Sequence, residues 1–532
     1  MWMLTGANGY AMDEGNAKFD AMVIEGDTIL AIGSKADLRL QFGATVTKTV
    51  DVQGATVIPG LVDNHLHLSG VSEQLMRLDL TGTKSKAELL ARIRTWATNL
   101  PEGAWIQGVG WDENQFHDRQ IPSIEELDAA ALGHPLLLMR VCRHVLLANH
   151  LAFTLAGLGE HPSDPEGGAY GRDVHGKLNG LVYEERAFRP LLSVIPTWTS
   201  SDWQKALKMA INHSLSFGLT AVHTDDTRYM GGFIPTWNLY QQLLSEGNMR
   251  LRVHELVGEA FVKEYISFQK EMTPENDWLS VGAIKLFADG SFGGRTAWLS
   301  APYADLPSVS GLPIDAPDVL CDKVYRLHEA GLPVAIHAIG DAALEAALSA
   351  IEDAPHVKRR DRIVHAELIR PDLVDRMAML GDRLAIDIQP RFAVSDFPWL
   401  IDRIGRERSA YACAWNTMKQ AGLHVGGGSD APIEPVNPLL GIHAAVTRNE
   451  PNQAGKGYLM EQAMSPYAAV KLFTHDGSFA IGAEGKKGCL LPGWLADVTV
   501  LDRDIVASQS TDDIRDAKVL STIVGGQVAY SR

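Results

Sequence analysis

The sequence predicts an α/β protein: a TIM-type (β/α)8 barrel, a small β-sandwich domain built from both termini, and an inserted subdomain after the first barrel strand. Three observations lead there. Short apolar runs recur through the middle of the chain, at 57–67, 219–225, 250–256, 281–287, 332–338, 361–366, 384–390 and 423–429. Helical patterns such as Ala342 to Asp353 and Pro371 to Leu380 lie between most of them. Strand–helix alternation implies parallel strands joined by crossovers, and eight such strands close a barrel. The two ends of the chain, by contrast, read as short strands and turns.

Each element follows from its own residues. The chain has 532 residues. That length suggests roughly three units at about 150 residues each, although one barrel absorbs about 250. Near the start, 21–33 reads as a hairpin turning at Glu25-Gly26-Asp27, and another strand is expected near Thr45 to Val52. At the far end, 496–502 and 519–529 read as strands separated by turn residues. Residues 1–55 plus 485–532 are therefore assigned to the β-sandwich domain and 56–484 to the barrel. The connection between Ser69 and Phe217 is too long for one crossover, so 70–215 is assigned to the insert. Barrel active sites lie at the strand C-termini, and an insert placed there is expected to overhang the site.

Composition narrows the function. Lys plus Arg number 48 and Asp plus Glu 65, a net charge of −17. Such a surface repels nucleic acid and anionic membranes, so neither is an expected partner. No run reaches the length of a membrane span, and Met1 to Gly15 lacks the basic-then-apolar pattern of a signal peptide. Cys142, Cys321, Cys413 and Cys489 are scattered with no C-x-x-C. That argues against a disulfide framework or thiolate zinc site and fits a reducing cytosol. The expectation is a cytoplasmic protein acting on a small molecule, with a homodimer as the base-rate assembly.

The sharpest chemical signal is Val57-Ile-Pro-Gly-Leu-Val-Asp-Asn-His-Leu-His-Leu68. Side chains alternate along a strand, so His65 and His67 point the same way and can reach one metal. Alone, such a pair is more often two partly buried polar residues. Downstream, His337, His365 and Asp430 each fall where a barrel strand should end. Four histidines and an aspartate in register suit zinc, or less specifically iron or manganese. Lys285 ends the fourth strand. A lysine facing into the barrel is costly as a cation, and a depressed pKa would leave it able to add CO2 and form a bridging carbamate. A lysine pointing outward or paired with a carboxylate is the other possibility, and the residues alone leave both open.

The ensemble resembles amidohydrolase family 3, the branch that includes N-substituted formamide deformylases and the YtcJ-like hydrolases. The matching motifs are Pro59-Gly-Leu-Val-Asp-Asn-His-Leu-His67, Lys285-Leu-Phe-Ala-Asp-Gly-Ser-Phe-Gly-Gly-Arg-Thr-Ala297, His337-Ala-Ile-Gly-Asp341, Ile388-Gln-Pro390, Gly428-Ser-Asp-Ala-Pro432 and the tail 488–500. The resemblance implies that His65, His67 and Asp430 hold the more buried metal. It implies that Lys285, carboxylated, bridges to a second metal on His337 and His365, giving two Zn2+ per chain. Two departures stand out. Ser291-Phe-Gly-Gly replaces the commoner Ser-Leu-Gly-Ser, which alters a pocket wall. Val364-His-Ala replaces Glu-His-Ala, which puts the outer support of His365 in question.

Five further residues are substrate-binding candidates. Asp289 and Arg295 lie on the loop after the fourth strand, where Arg295 can clamp a carboxylate or form an ordinary salt bridge. Trp111 can wall an apolar substrate or pack in a core. His144, near Asn149, can polarise a carbonyl or simply pack. His223 ends the second strand and can line the site without binding metal. Gly426-Gly-Gly428 lacks the Lys-Ser/Thr of a phosphate loop and reads as close backbone approach near Asp430.

The implied activity is hydrolysis of a C–N bond in an amide, formamide or cyclic amide by metal-activated hydroxide, with Asp430 shuttling the proton. A single-metal deaminase or deacetylase, with Lys285 an ordinary amine, is the alternative. A non-catalytic scaffold is the remaining class, and it is disfavoured because the whole ligand set is present.

Overall fold

The computed structural model describes residues 1–140, 145–451, 455, 457–508 and 510–532. All eight apolar runs contain strands of one parallel sheet: β1 (Leu61–Leu66), β2 (Leu219–Thr224), β3 (Arg252–Gly258), β4 (Leu279–Phe287), β5 (Val334–Ala338), β6 (Asp361–His365), β7 (Leu384–Ile388) and β8 (Val425–Gly427). They hydrogen-bond in chain order, β1 to β8. The seam between β8 and β1 is closed just past β8, where the Asp430 N–H donates to the His65 carbonyl (2.7 Å) and the His67 N–H to the Ala431 carbonyl (2.8 Å). Proline opens the crossover helices Pro317–Glu329 and Pro371–Leu380. At that position its missing N–H costs no helical bond. The barrel interior is apolar in its middle, where Leu256, Ala283, Ala335 and Val364 meet.

The first run divides between two sheets. Thr56–Pro59 pairs antiparallel with Val498–Leu501, and after Gly60 the chain enters β1. A Cβ on Gly60 would lie 2.2 Å from Thr220 Oγ1, so only glycine passes there. Both halves are wholly buried, which is why they read as one apolar run.

Strands from both termini join in one eight-stranded mixed sheet. The hairpin Lys18–Glu25 with Thr28–Gly33 turns through Gly26 at φ +60°, and the closing hairpin Val519–Val524 with Gln527–Ser531 turns through Gly525-Gly526, both also left-handed. Alternation splits the residues of 21–24 between two faces. Met22 and Ile24 pack with Leu4, Val498, Val500 and Ile523. Ala21 and Val23 pack with Met3 and with Leu38 of the helix Lys35–Phe42. The buried pair Arg252–Asp497 (2.7 Å) links β3 to this sheet.

Residues Ser72–Ala206 form a second compact unit. It has its own six-stranded sheet, in the order Ala169–Arg172, Leu178–Tyr183, Val145–Ala148, Leu136–Arg140, Ile106–Trp111, Leu78–Asp79. Cys321, Cys413 and Cys489 are free thiols, and Cys142 lies outside the described residues. Among the described residues, no helix is long and apolar enough to cross a membrane.

Candidate metal centre

At the C-terminal end of β1 the ladder to β2 slips. Asp63 pairs with Val222 and Leu66 with Thr224, so one strand carries an extra residue. Bulges of this kind re-aim side chains. His67 Nε2 lies 3.2 Å and His65 Nε2 3.5 Å from Asp430 Oδ1. One ligand atom from each of the three lies within 4.8 Å of the others. Asp430 arrives from the far side of the seam with φ +56°, outside the ordinary regions for a non-glycine residue. Such strain, at about 1–3 kcal/mol per residue, persists where the surroundings dictate it. Gly428 makes the approach possible: a Cβ there would meet the His65 backbone nitrogen at 2.6 Å. Gly426 would meet Asn64 Nδ2 at 1.8 Å. Close approach therefore accounts for both glycines.

Around this trio stand the other candidates. Lys285 Nζ is 3.3 Å from His65 Nε2 and 5.2 Å from the Phe287 ring centroid. The His365 ring lies 5.7 Å from that of His65 and 4.5 Å from that of His337. His365 and the following Ala366 both have positive φ, 81° and 47°. The structure thus gathers His65, His67, Lys285, His337, His365 and Asp430 at one end of the barrel.

At His67 burial is outweighed by Asp430, which raises that ring above its ordinary value; at the other three histidines burial decides. It pushes His65 and His337 well below the ordinary imidazole range and His365 to about 4, with the neighbouring Lys285 adding to the effect. Neutral imidazole is the metal-binding form. Burial opposes ionisation of Asp430 too, but His67, His365 and Lys285 outweigh it and hold the carboxyl below its usual value. Lys285 is lowered to about 8, chiefly by burial, against the pull of Asp225 and Asp430.

The donor set fits a divalent cation. Asp430 Oδ1 is buried and accepts no hydrogen bond from the described residues, although it faces two imidazole nitrogens. A buried acceptor left alone is costly, and a cation held jointly with His65 and His67 would satisfy it. Outer groups fix the tautomers. His67 Nδ1 donates to the Asp225 carbonyl (3.3 Å) and His365 Nδ1 to Gln389 Oε1 (2.7 Å), leaving both Nε2 lone pairs free. His337 Nε2 donates to the Gly290 carbonyl (2.9 Å), leaving Nδ1 free. Asp63 accepts from the N–H groups of His65 and Ser429 and so ties β1 to the loop that carries Asp430.

Gln389 corrects one expectation. Val364 does leave His365 without the usual carboxylate, and its side chain joins the apolar interior. The outer support comes instead from the Ile388-Gln-Pro390 motif. Replacing Gln389 with leucine is expected to free the His365 ring and lower metal affinity or activity by about 10- to 100-fold. Metal titration of the variant checks this, and unchanged affinity would mean the ring is held by packing against Phe392 alone.

Most substrate-binding candidates have other duties. Trp111 is fully buried in the core of the second unit, its indole N–H donating to the Leu138 carbonyl (2.9 Å), so it presents nothing to a substrate. Asp289 is 1% exposed and accepts from the N–H groups of Trp298, Ile339 and Gly340. It lies 3.5 Å from His337 Nε2 and positions that loop. Burial holds its carboxyl up to about 7. Arg295 is engaged by Asp305 at 2.7 Å, the ordinary salt bridge. His223 faces Arg362 (3.3 Å) and His254 inside the barrel rather than the metal ligands. His144 lies outside the described residues.

Three residues near the ligands escaped the sequence reading. Asp63 sat in the quoted motif, two residues before His65, where strand alternation should have marked it. Tyr229, whose ring is 5.8 Å from that of His67, and Arg228, which bonds Asp225 (3.0 Å) and covers Phe287, lie on the loop after β2 and carry no motif signal.

Comparison with known proteins agrees with this geometry. The profile of the amidohydrolase family matches residues 48–530. The chain is 36% identical over 525 residues to the putative amidohydrolase YtcJ of Bacillus subtilis (strain 168), covering 98% of each. It is 26% identical over 547 residues to the N-substituted formamide deformylase of Arthrobacter pascens, covering 100% of this chain and 98% of that one. The crystal structure of a metal-dependent hydrolase from Pyrococcus furiosus superposes with a TM-score of 0.75 at 30% identity, covering 95% of this chain and 99% of that one. On the family profile and the near-full-length relative, the chain belongs to the amidohydrolase family.

Proposed function

We propose that this protein is a metal-dependent hydrolase cleaving a C–N bond in an amide, an N-substituted formamide or a cyclic amide. The observation that carries the reading is the buried Asp430 Oδ1, without a hydrogen-bond donor among the described residues and flanked by His65 and His67 Nε2. The deformylase and amidohydrolase names of the relatives support the bond class.

In this reading His65, His67 and Asp430 hold one divalent metal, with zinc the best match to the donors. Lys285, if carboxylated, would join His337 and His365 in holding a second metal. When bound, the metal supplies Lewis acidity, polarising a carbonyl and making a water acidic near neutral pH. The Asp430 carboxylate takes the proton of the attacking water and returns it to the leaving nitrogen. Asp225 and Gln389 keep two imidazoles in their metal-facing tautomers throughout.

A single-metal deaminase or deacetylase is the second reading. One observation favours it: among the described residues, only His65, His67 and Asp430 form a three-ligand cluster of histidine and carboxylate atoms.

The deciding experiment is elemental analysis of protein expressed with ample zinc and bicarbonate, followed by assay on a panel of formamides, linear amides, cyclic amides and amino-substituted rings. We expect about two metals per chain and hydrolysis that a chelator stops and zinc restores. One metal, with turnover only of amino-substituted rings, would select the second reading. A metal-loaded protein inert towards the whole panel would sink the C–N hydrolase assignment.

A further inference from the structure

The barrel has a second opening. At the N-terminal ends of its strands lies a cavity of about 830 Å³, within the range that holds small metabolites. His223, Arg252, His254, Arg359, Arg362 and Lys487 line it, and none of the metal-centre residues does.

Lys and Arg outnumber Asp and Glu in its lining by eight to four, and some of its donors are unused. Arg362 Nε bonds Asp387 Oδ2 (2.7 Å) and Nη2 bonds the Asn64 carbonyl (2.6 Å), but Nη1 is buried with no partner among the described residues. Arg362 also points a donor at His223 Nδ1, so that nitrogen accepts and Nε2 carries the proton; Nε2 is buried without a partner among the described residues. Lys487 is 7% exposed, and its ammonium makes no hydrogen bond or ion pair among the described residues. Arg252 and Arg359, by contrast, are matched by Asp497 and Glu275. Asp497 and Asp277 act on the Lys487 ammonium from a distance without pairing with it. An unpaired ammonium in a largely buried residue is costly, and so is each unused buried donor. A neutral ligand would satisfy the donors but leave the ammonium unpaired, whereas an anion answers both.

We propose that this cavity is a binding site for a small anion bearing a carboxylate or a phosphate, held by Lys487, Arg362 Nη1 and His223 Nε2. The site is separate from the reaction centre but touches its support, because the same guanidinium holds the carbonyl of Asn64, the residue before His65. Burial already lowers Lys487 to about 8, with Arg252 adding to the effect. A bound anion would reverse that.

The test is calorimetric titration of the metal-loaded protein with inorganic phosphate and, separately, with succinate, at constant ionic strength against chloride. One saturable equivalent is expected, and the tighter of the two identifies the anion class. Lys487→Met, which keeps the bulk and removes the charge, is expected to weaken binding by about tenfold or more. No saturable binding by the wild type, or equal affinity in Lys487→Met, overturns the proposal, the latter placing the anion at the metals. Wild-type crystals soaked in selenate give a check that needs no variant. Anomalous density beside Lys487 supports the site, and density only at the metal centre, or none, rejects it.

Discussion

Asp430→Asn is expected to keep the metal and lower kcat by about 10²- to 10⁴-fold, the range associated with loss of a positioned acid–base group. Asparagine suits the position in every respect but one. It tolerates the left-handed backbone, here φ +56°, better than other residues. Its N–H can still bond the His65 carbonyl across the seam, since that contact is made by the backbone. Its amide oxygen can still face His65 and His67. What it lacks is a carboxylate that His67, His365 and Lys285 together hold ionised. Turnover at saturating substrate, measured beside metal content, separates the outcomes. Normal metal with normal turnover would remove Asp430 from proton transfer. Lost metal would show its main duty to be ligation.

The barrel was legible because its strands obey simple rules. They are short, apolar and evenly interrupted by helices, and parallel strands covered on both faces read as continuous apolar runs. The same rule concealed the break at Gly60. Both sides of it are buried, so nothing in the pattern marks where one sheet yields to another. The ligand candidates were legible for a related reason. A histidine, lysine or aspartate at the end of an apolar strand violates local expectation, and such violations concentrate at functional sites.

Outer-shell residues broke no such rule. Gln389 closes an apolar run and stands in a quoted motif, yet neither shows that its side chain reaches His365, joining the ends of two different strands. Arg362 reads as a mildly unusual strand residue, yet it connects β1, β2, β6 and β7 through Asn64, His223 and Asp387. Trp111 stood between two readings, a substrate wall and a core residue. A tryptophan after glycine in a polar loop motif looks available to a ligand, and only the packing of its own unit shows it to be core. Spacing along one strand is visible in a sequence, whereas partners across strands are not.

Lys285→Met tests the bridge itself. The two side chains have similar length, and the surroundings of Lys285, including Phe287, accept a thioether, so packing should survive. If a carbamate on Lys285 joins two metals, the variant should hold about one metal instead of two. Hydrolysis should fall with it, and the benefit of bicarbonate during expression should vanish. A stability measurement on metal-free protein in bicarbonate-free buffer gives an independent readout. The amine in the folded state titrates at about 8 rather than at the ordinary 10.5, mainly because burial disfavours the cation. Between those values the unfolded chain binds more protons than the folded one, so wild-type stability should rise with pH across that window. Below about pH 8 the buried cation costs stability, and Lys285→Met should melt higher than wild type. That advantage should shrink as the pH approaches 10.5. Metal content unchanged at two would show that the lysine bridges nothing. Content of one in both proteins, with the melting difference intact, would leave Lys285 an ordinary buried amine beside a single metal and turn the substrate search to deamination.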